Sequence, residues 1–463
     1  MQQHTMRREL GARQISFMAL GMAIGVGLFL GSASAIHAAG PGALVAYLIG
    51  GAMIFLIMRA LGEMAVHRPV SGSFGAYAFE YLGPFAGYLV GWTYWLFMVG
   101  VGVAETTAVG IYMGFWFPAV PQWIWVVSAI VAIAGFNLLN VKVYGELEFW
   151  FALVKVGTIL LMIAGGALIV FTGIGHHGEP VGLSNLWRHG GVFPHGVLGL
   201  VSALPIVAYS FAGVEMIGLT AGEARDPQKA IPRAINSVLW RILIFYVGAL
   251  FIIMALYPWN ELGEHGSPFV TTFESLGLRQ AAGVVNFVVV TAALSSFNCI
   301  VFSGARMLSS MAGNGLAPAP FATLSASGSP SRAVGATVVF MSVGVLLNYV
   351  IPARVFGWLM SFLSFDVAVI WAMIVLTHMQ FRRVMAARGV TPAFRMPCAP
   401  ATSWICLVFV AFVFVMLGVD ASTRGSLYVG TGLLVLLAMI YRRSRRLQAA
   451  AHSTRVALGA ERV

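Results

Sequence analysis

Charged residues are scarce in this chain. Asp, Glu, Lys and Arg make up only 9% of its 463 residues, whereas 59% are hydrophobic and the mean hydropathy is +0.88. Soluble domains carry about 25% charged residues, so this composition excludes a soluble protein. It predicts membrane spans of about 20 residues joined by short loops.

Cysteines and catalytic motifs are equally scarce. The three cysteines, Cys299, Cys398 and Cys406, have the spacing of neither a metal site nor a disulfide framework. The sequence contains no HExxH motif, no paired Cys and His ligands and no GxSxG motif, which would indicate a zinc or serine hydrolase. We therefore expect no enzyme, no metal and no cofactor.

Basic residues outnumber acidic ones and give a net charge of +11, but they lie in short Arg-rich connections and form no basic domain. This distribution argues against a nucleic-acid partner and is typical of cytoplasmic loops in a membrane protein. With the N-terminus inside, 22 Lys and Arg residues fall on the cytoplasmic side and 4 outside, with Lys155 counted as intramembrane. Both termini are therefore predicted to be cytoplasmic.

Apolar runs long enough to cross a bilayer occur twelve times, separated by charged or Pro/Gly-rich breaks. They lie at about 15–36, 43–66, 84–117, 123–141, 147–172, 196–221, 235–257, 280–312, 333–351, 354–380, 402–419 and 425–441. The runs lack the alternating pattern of barrel strands, and lipid requires a backbone that satisfies its own hydrogen bonds. The sequence therefore predicts an all-α integral membrane protein with twelve transmembrane helices.

Glycine is concentrated where it weakens two of these helices. The segment FMALGMAIGVGLFLG at 17–31 and the segment VAYSFAGVEMIGLTAGEA at 207–224 both carry several glycines, each costing a helix about 1 kcal/mol relative to alanine. GxxxG spacing would explain them by close helix packing. A pair of interrupted helices at corresponding positions of two repeats instead indicates a transporter site, because the freed backbone groups bind substrate. The pairing of the two segments favours the transporter site.

Several motifs resemble those of bacterial amino acid permeases of the amino acid–polyamine–organocation superfamily. They are LGARQISFMALGMAIGVGLFLGSASAIHAAGP, VAETTAVGIY, YGELEFWFALVKVGTI, SFAGVEMIGLTAGEARDPQKAIPRAINSV and SSFNCIVFSGARMLSSMAGNGLAP. GELEFWF and LYPWN are most similar to the proline-specific branch. The resemblance implies a LeuT-type fold of two inverted five-helix repeats plus two extra helices, and proton-driven amino acid uptake across the bacterial inner membrane.

This resemblance divides the chain into five parts. They are a cytoplasmic tail at 1–14, a first repeat at 15–195, a second repeat at 196–380, the two extra helices at 381–441 and a cytoplasmic tail at 442–463.

A substrate site at the two interrupted spans, completed by spans eight and ten, is also implied. Its expected members are Ala23, Ile24, Gly25, Val26, Gly27, Tyr209, Ser210, Phe211, Gly213, Asn298 and Asp366. Val26 stands where many relatives carry threonine, so a hydroxyl near the substrate carboxylate is missing.

Four charged residues, Glu105, Lys155, Glu215 and Asp366, fall inside predicted spans, where a central charge costs about 2.5–3.5 kcal/mol. The resemblance implies that Lys155 couples transport to protons and that Glu215 handles protons or anchors its helix. Glu105 is expected to be a structural hydrogen-bonding residue. Asp366 has no counterpart in the family, and it either pairs with a neighbouring polar group or faces a substrate side chain that carries positive charge.

The expected function is therefore proton-coupled import of an L-amino acid, proline or histidine, by alternating access. An exchanger, or a permease for another neutral or aromatic amino acid, remains an alternative. A channel or sensor is disfavoured because a channel needs a continuous pore lining. The expected partners are the amino acid, protons and membrane lipid, and the sequence specifies no oligomeric state.

Overall fold

The computed structural model describes residues 24–137, 141–174, 179–262, 267–275, 277, 279–325, 328–421 and 423–460. Within these residues all regular secondary structure is helical. The predicted all-α membrane fold is therefore confirmed.

Within the described residues, the helices group into twelve segments that correspond to the twelve predicted spans, and the sixth segment is interrupted. They are α1 (Val26–Phe29 and Gly31–Ala39), α2 (Ala43–His67), α3 (Pro84–Met113), α4 (Gln122–Asn137), α5 (Val141–Thr172), α6a (Gly196–Ser210) with α6b (Met216–Thr220), α7 (Pro227–Leu256), α8 (Arg279–Gly313), α9 (Ser331–Val350), α10 (Pro352–Ala387), α11 (Ala401–Val419) and α12 (Arg424–Ala460). Short helices at Ser73–Leu82 and Pro268–Ser275 lie in the connections before α3 and α8.

Length and composition agree with this description. In the described part of the chain, nine helical stretches are long and apolar enough to cross a membrane, and the first, Gly31–His67, holds α1 and α2 around the turn at Gly40–Gly42. The apolar helices Gln122–Phe136 and Gly196–Ser210 are shorter. The last helix continues well beyond the predicted span at 425–441 and reaches Ala460.

The core lies around α3 and α8, which pack against each other. In the most apolar stretch of α3, 72% of residues are buried, and in that of α8, 78% are buried. The corresponding figure for α12 is 17%. Apolar side chains on outer helices are exposed, such as Leu161 of α5 at 74% and Val408 of α11 at 67%. In a membrane these outer side chains face lipid, which removes the need for a polar exterior.

A buried carboxylate joins α2 to α10 on the predicted cytoplasmic side, the side that holds residues 68–72, 223–226 and 388–400. Glu63 is fully buried, and its Oε2 accepts a hydrogen bond from the backbone N–H of Met396 at 2.8 Å. The same oxygen lies 2.9 Å from Nε2 of His378 and 3.3 Å from Nη1 of Arg382. Glu63 therefore fixes the connection after α10 against α2.

A second buried ion pair lies on the same side. The guanidinium of Arg306 on α8 donates to the carboxylate of Glu223, which follows α6b, and both side chains are almost wholly buried. The same guanidinium lies over the ring of Phe302, 3.1 Å from its centroid. This pair holds the inner end of α6 against α8.

Candidate functional site

The first predicted interruption falls at the start of the described residues, just before the helix of α1 that begins at Val26. Ile24 and Gly25 are non-helical, and the Val26 N–H donates a 3.2 Å hydrogen bond to Oε1 of Glu105 on α3. A Cβ atom on Gly25 would lie 2.6 Å from that oxygen and 2.9 Å from Oγ of Ser296 on α8. Glycine at this position therefore lets α3 and α8 contact the interrupted backbone.

Lys155 of α5 lies behind this interruption with an exposed fraction of 0%. Its Nζ donates to Oγ of Ser296 at 3.4 Å, and the Ser296 hydroxyl donates to the Ile24 carbonyl at 3.5 Å. The carboxylate of Glu105 attracts the ammonium electrostatically. One cation thus connects α5 to α8 and, through Ser296, to the Ile24 carbonyl just before α1.

The second interruption separates α6a from α6b over residues 211–215. Gly213 has a φ of +94°, which glycine adopts without the strain a side chain would bring. Its N–H lies 3.1 Å from both carboxylate oxygens of Glu215 and donates to them, and Trp371 of α10 lies beside that carboxylate. This geometry shows Glu215 anchoring the interruption, whereas its role in proton handling stays a prediction.

Gly27 in the first turn of α1 contacts Ser210, the last residue of α6a. The Ser210 hydroxyl lies 3.1 Å from the Gly27 carbonyl oxygen and donates to it. A Cβ atom on Gly27 would lie 2.8 Å from Cα of Ser210, so a larger residue would push α1 away from α6a. The fold thereby brings the predicted backbone members of the site, residues 24–27 and 210–213, into one region.

The aromatic side chains at the end of α6a lie in different surroundings. Tyr209 is buried, its hydroxyl has no hydrogen-bond partner among the described residues, and it lies within electrostatic range of Glu105. The Phe211 ring packs instead against Tyr47 of α2 and Tyr246 of α7, with ring centroids 5.8 and 4.9 Å apart. Tyr209 therefore belongs to the region of Glu105, while Phe211 packs between α2 and α7.

Of two further predicted members, the structure describes only one. Asn298 lies on α8 two residues beyond Ser296 and is buried, with an exposed fraction of 1%. Ala23 lies outside the described residues.

Asp366 of α10 is buried but separate from these residues. Its exposed fraction is 0%, and neither carboxylate oxygen has a hydrogen-bond partner in the part of the chain that the structure describes. Two residues earlier, the Ser364 hydroxyl donates to the Pro205 carbonyl of α6a at 3.0 Å. Two helical positions differ by about 200° in direction, so Asp366 lies on nearly the opposite face of α10 from α6a.

The residues on either side of that face identify what it packs against. The Leu363 side chain packs against Gly100 of α3, and the Phe365 side chain packs against Gly430 of α12. On the helix, Asp366 lies between these two side chains in direction, so it faces α3 and α12. The ion pair or hydrogen bond expected for a structural role is not formed within the described residues, and this direction gives the substrate-contacting role no geometric support.

Some residues of the site were not singled out by the sequence. Ser296, Tyr47 and Tyr246 contact the interruptions directly, yet serine and tyrosine in an apolar run more often bond their own helix or fill space. For Ser296 the one available signal was its position in the SSFNC motif. For the two tyrosines no sequence signal distinguishes them from packing residues.

These contacts form a buried polar region. It combines the ammonium of Lys155 and the carboxylate of Glu105 with backbone that is not helical. In the described residues no group of three or more His, Cys, Asp or Glu could hold a metal ion. Such a region is suited to a small zwitterion, whose carboxylate and ammonium need donors and acceptors away from water.

Comparison with known proteins agrees with this chemistry. The family model described as "Amino acid permease" matches residues 14–452. The uncharacterized amino acid permease YtnA of Bacillus subtilis is 52% identical over 95% of this chain and 96% of its own length.

Two further relatives carry substrate names. The probable threonine/serine transporter YbxG of Bacillus subtilis is 46% identical over 94% of each chain. The aromatic amino acid transport protein AroP of Escherichia coli is 44% identical over 95% of this chain and 96% of its own. None of the three relatives is named for proline, so the finer resemblance to the proline-specific branch is not supported by them. The matches establish the broader family over nearly the whole sequence, and this multi-pass membrane protein therefore belongs to the amino acid permease family of bacterial transporters.

Proposed function

We propose that this chain imports a neutral L-amino acid across the bacterial inner membrane together with a proton, by alternating access. The observation that carries the proposal is the fully buried Lys155, whose Nζ bonds Ser296 and, through it, the Ile24 carbonyl at the interruption of α1. A lysine side chain can bind and release one proton. Its charge therefore provides a means for one proton to alter the contact between α1, α5 and α8.

The substrate headgroup is proposed to occupy the region of Glu105 beside the two interruptions. Glu105 Oε2 and the hydroxyls of Tyr112 and Tyr209 are buried without hydrogen-bond partners among the described residues, and the two tyrosines lie within electrostatic range of that carboxylate. Buried polar atoms in folded proteins almost always have a partner. The ammonium of an amino acid has three N–H donors and would satisfy these acceptors.

The substrate side chain is the less constrained part of the proposal. The sequence resemblance favours proline or histidine, whereas the relatives are named for threonine and serine or for aromatic amino acids. All of these are uncharged or can be uncharged near neutral pH. We therefore propose that the substrate is a neutral amino acid. Competition for uptake of a labelled amino acid would rank the candidates, which are proline, histidine, phenylalanine, tryptophan, threonine and serine.

Purified protein in proteoliposomes tests the function. Radiolabelled amino acid should accumulate inside vesicles that contain no amino acid, provided that an inward proton gradient or a negative interior is imposed. One proton driven by 100 mV supplies about 2.3 kcal/mol, which corresponds to about 50-fold accumulation at 1.4 kcal/mol per decade. Equilibration without accumulation would indicate a channel, and uptake only against internal amino acid would indicate an exchanger.

Lys155→Ala tests the coupling residue. We expect the variant to lose accumulation under the imposed gradient while retaining measurable substrate binding. Lys229→Ala is the matched control, because within the described chain the one side-chain contact of Lys229 is an ion pair with Asp226, and its side chain is 84% exposed. A Lys155→Ala protein that still concentrates substrate in proportion to the proton gradient would overturn the assignment.

A further inference from the structure

Ser210, the last residue of α6a, is held by contacts from three other helices. Its hydroxyl lies 3.1 Å from the Gly27 carbonyl oxygen of α1 and 3.0 Å from the Ile206 carbonyl oxygen of its own helix. The Tyr47 hydroxyl of α2 lies 3.1 Å from Ser210 Oγ, and the Tyr246 hydroxyl of α7 donates to the Ser210 carbonyl at 2.7 Å.

The hydrogen count fixes the direction of these bonds. A serine hydroxyl has a single hydrogen, and in Ser210 that hydrogen is directed to the carbonyls of Gly27 and Ile206. The Tyr47 hydroxyl must therefore donate to Ser210 Oγ. Two tyrosine O–H groups thus converge on one residue, one on its side chain and one on its carbonyl.

These bonds occupy carbonyls that the interruptions expose. In a membrane interior a carbonyl that leaves the helical ladder has to find another donor. The Gly27 and Ser210 carbonyls find theirs inside the protein, from Ser210 and Tyr246. They are therefore not the open acceptors of the site, in contrast to Glu105 Oε2 and the Tyr209 hydroxyl, which lack partners in the described chain.

The backbone of α7 is unusual where it presents Tyr246. Residues Ile242–Gly248 form a π-helical turn between two α-helical segments. π-turns are rare, and they frequently lie at functional sites because the extra residue re-aims the side chains of one turn. Here the turn places the Tyr246 ring against Tyr47 and Phe211, with centroids 5.4 and 4.9 Å apart.

We propose that Tyr47 and Tyr246 are positioning residues of the amino acid site, which act through Ser210 to fix the interruption of α6 against that of α1. They do not contact the substrate. The expectation that Ser210 itself binds substrate changes accordingly, because its hydroxyl and its carbonyl are both engaged within the protein. This inference rests on the proposed transport function and names residues that set its affinity.

Tyr246→Phe is the primary test, since it removes one hydroxyl and keeps the ring. Losing a hydrogen bond of about 0.5–1.5 kcal/mol should raise the KM for uptake about three- to tenfold, with Vmax within about twofold of wild type. Tyr77→Phe is the matched control. Tyr77 is equally buried and donates to the Arg68 carbonyl at 2.6 Å, far from the interruptions in sequence and on the predicted cytoplasmic side.

A double-mutant cycle adds a test that a purely structural role would not pass. Tyr47→Phe alone should raise KM, but it should have no further effect in a Ser210→Ala background, because the acceptor of its hydrogen bond is already absent. Additive effects would show that Tyr47 acts elsewhere. If Ser210→Ala fails to fold, the Tyr246→Phe and Tyr77→Phe pair still decides the question.

The possible results separate this inference from the transport function. If Tyr246→Phe raises KM while Tyr77→Phe does not, at similar melting temperatures, the positioning role is supported. If the wild-type protein accumulates substrate and Tyr246→Phe leaves KM unchanged, the positioning role alone is overturned. Absence of uptake by the wild-type protein instead overturns the proposed function.

Discussion

At the scale of single residues, Gly27 of α1 and Gly157 of α5 differ in the space that a larger side chain would find. A Cβ atom on Gly27 would lie 2.8 Å from the Cα of Ser210, whereas one on Gly157 of α5 would meet nothing within 4 Å. Backbone cannot move aside as the end of a flexible side chain can, and overpacking a dense interior costs about 1–3 kcal/mol. The same substitution should therefore have unequal effects at these positions.

We predict that Gly27→Ala lowers uptake at least about tenfold, the equivalent of 1.4 kcal/mol, and that Gly27→Val abolishes it. Gly157→Ala should leave uptake within about twofold of wild type. Initial rates are measured in proteoliposomes at equal amounts of folded, inserted protein. Normal uptake by Gly27→Val would show that the two interruptions need no close approach.

Asp366 is the second residue whose environment makes a sharp prediction. Its carboxylate has no partner among the described residues and faces α3 and α12. A buried carboxyl group that makes no hydrogen bond contributes little to stability, so its replacement by an amide of similar shape loses little. Asp366→Asn should therefore keep the melting temperature within about 1 °C of wild type, which is about 1 kcal/mol or less for a chain of this size.

Transport measurements on the same variant test whether Asp366 contacts the substrate side chain. Uptake of histidine and of proline should change by the same factor in Asp366→Asn, because the side chain lies on the face of α10 away from α6a. A selective loss of histidine uptake would instead place Asp366 at the substrate side chain.

At the scale of helices, the contrast with Glu63 is informative. Glu63 is as fully buried as Asp366, but its Oε2 contacts Met396, His378 and Arg382. Removing one partner from a buried polar network leaves the others unsatisfied, at about 1–3 kcal/mol. The connection between α10 and α11 depends on this one carboxylate.

We predict that Glu63→Gln lowers the melting temperature in detergent by about 1–3 °C, because a loss of about 1–3 kcal/mol is divided by an unfolding entropy of about 1 kcal/mol per kelvin for a chain of this size. Glu80→Gln is the control, because the Arg68–Glu80 pair is exposed, at 49% and 33%, and such pairs contribute about 0–1 kcal/mol. Equal shifts in the two variants would refute the special role of the Glu63 cluster.

The helices also show which features the sequence made predictable. The interruption of α6 was predictable because Gly213 acts locally on its own backbone. The interruption of α1 stays a prediction, since residues before Ile24 lie outside the described part of the chain. The direction of Asp366 was not, because the rotation of a membrane helix about its axis is set by packing against neighbours. The Glu63–His378 contact joins residues far apart in sequence, and no local pattern marks it.

At the scale of the whole molecule, the orientation of the chain in the membrane remains the main prediction, and labelling of one native cysteine tests it. Cys398 lies exposed in the connection between α10 and α11, whereas Cys299 and Cys406 are buried. We predict that a membrane-impermeant maleimide labels Cys398 in inside-out vesicles and fails to do so in right-side-out cells. A Cys398→Ser variant controls for labelling of the buried thiols, and labelling of intact cells at Cys398 would reverse the assigned topology.

The ion pair between Arg306 and Glu223 has a consequence for the rate of turnover. The inner end of α6 cannot part from α8 without separating these two buried charges. Charges released from a protein interior regain most of their hydration energy, which largely offsets the Coulomb attraction they lose. This ion pair therefore contributes little net free energy to holding the inner end of α6 against α8. In the proposed alternating-access cycle such a contact can open and close repeatedly, and replacing both charges with apolar residues should hold this end closed and lower the initial rate of uptake into proteoliposomes.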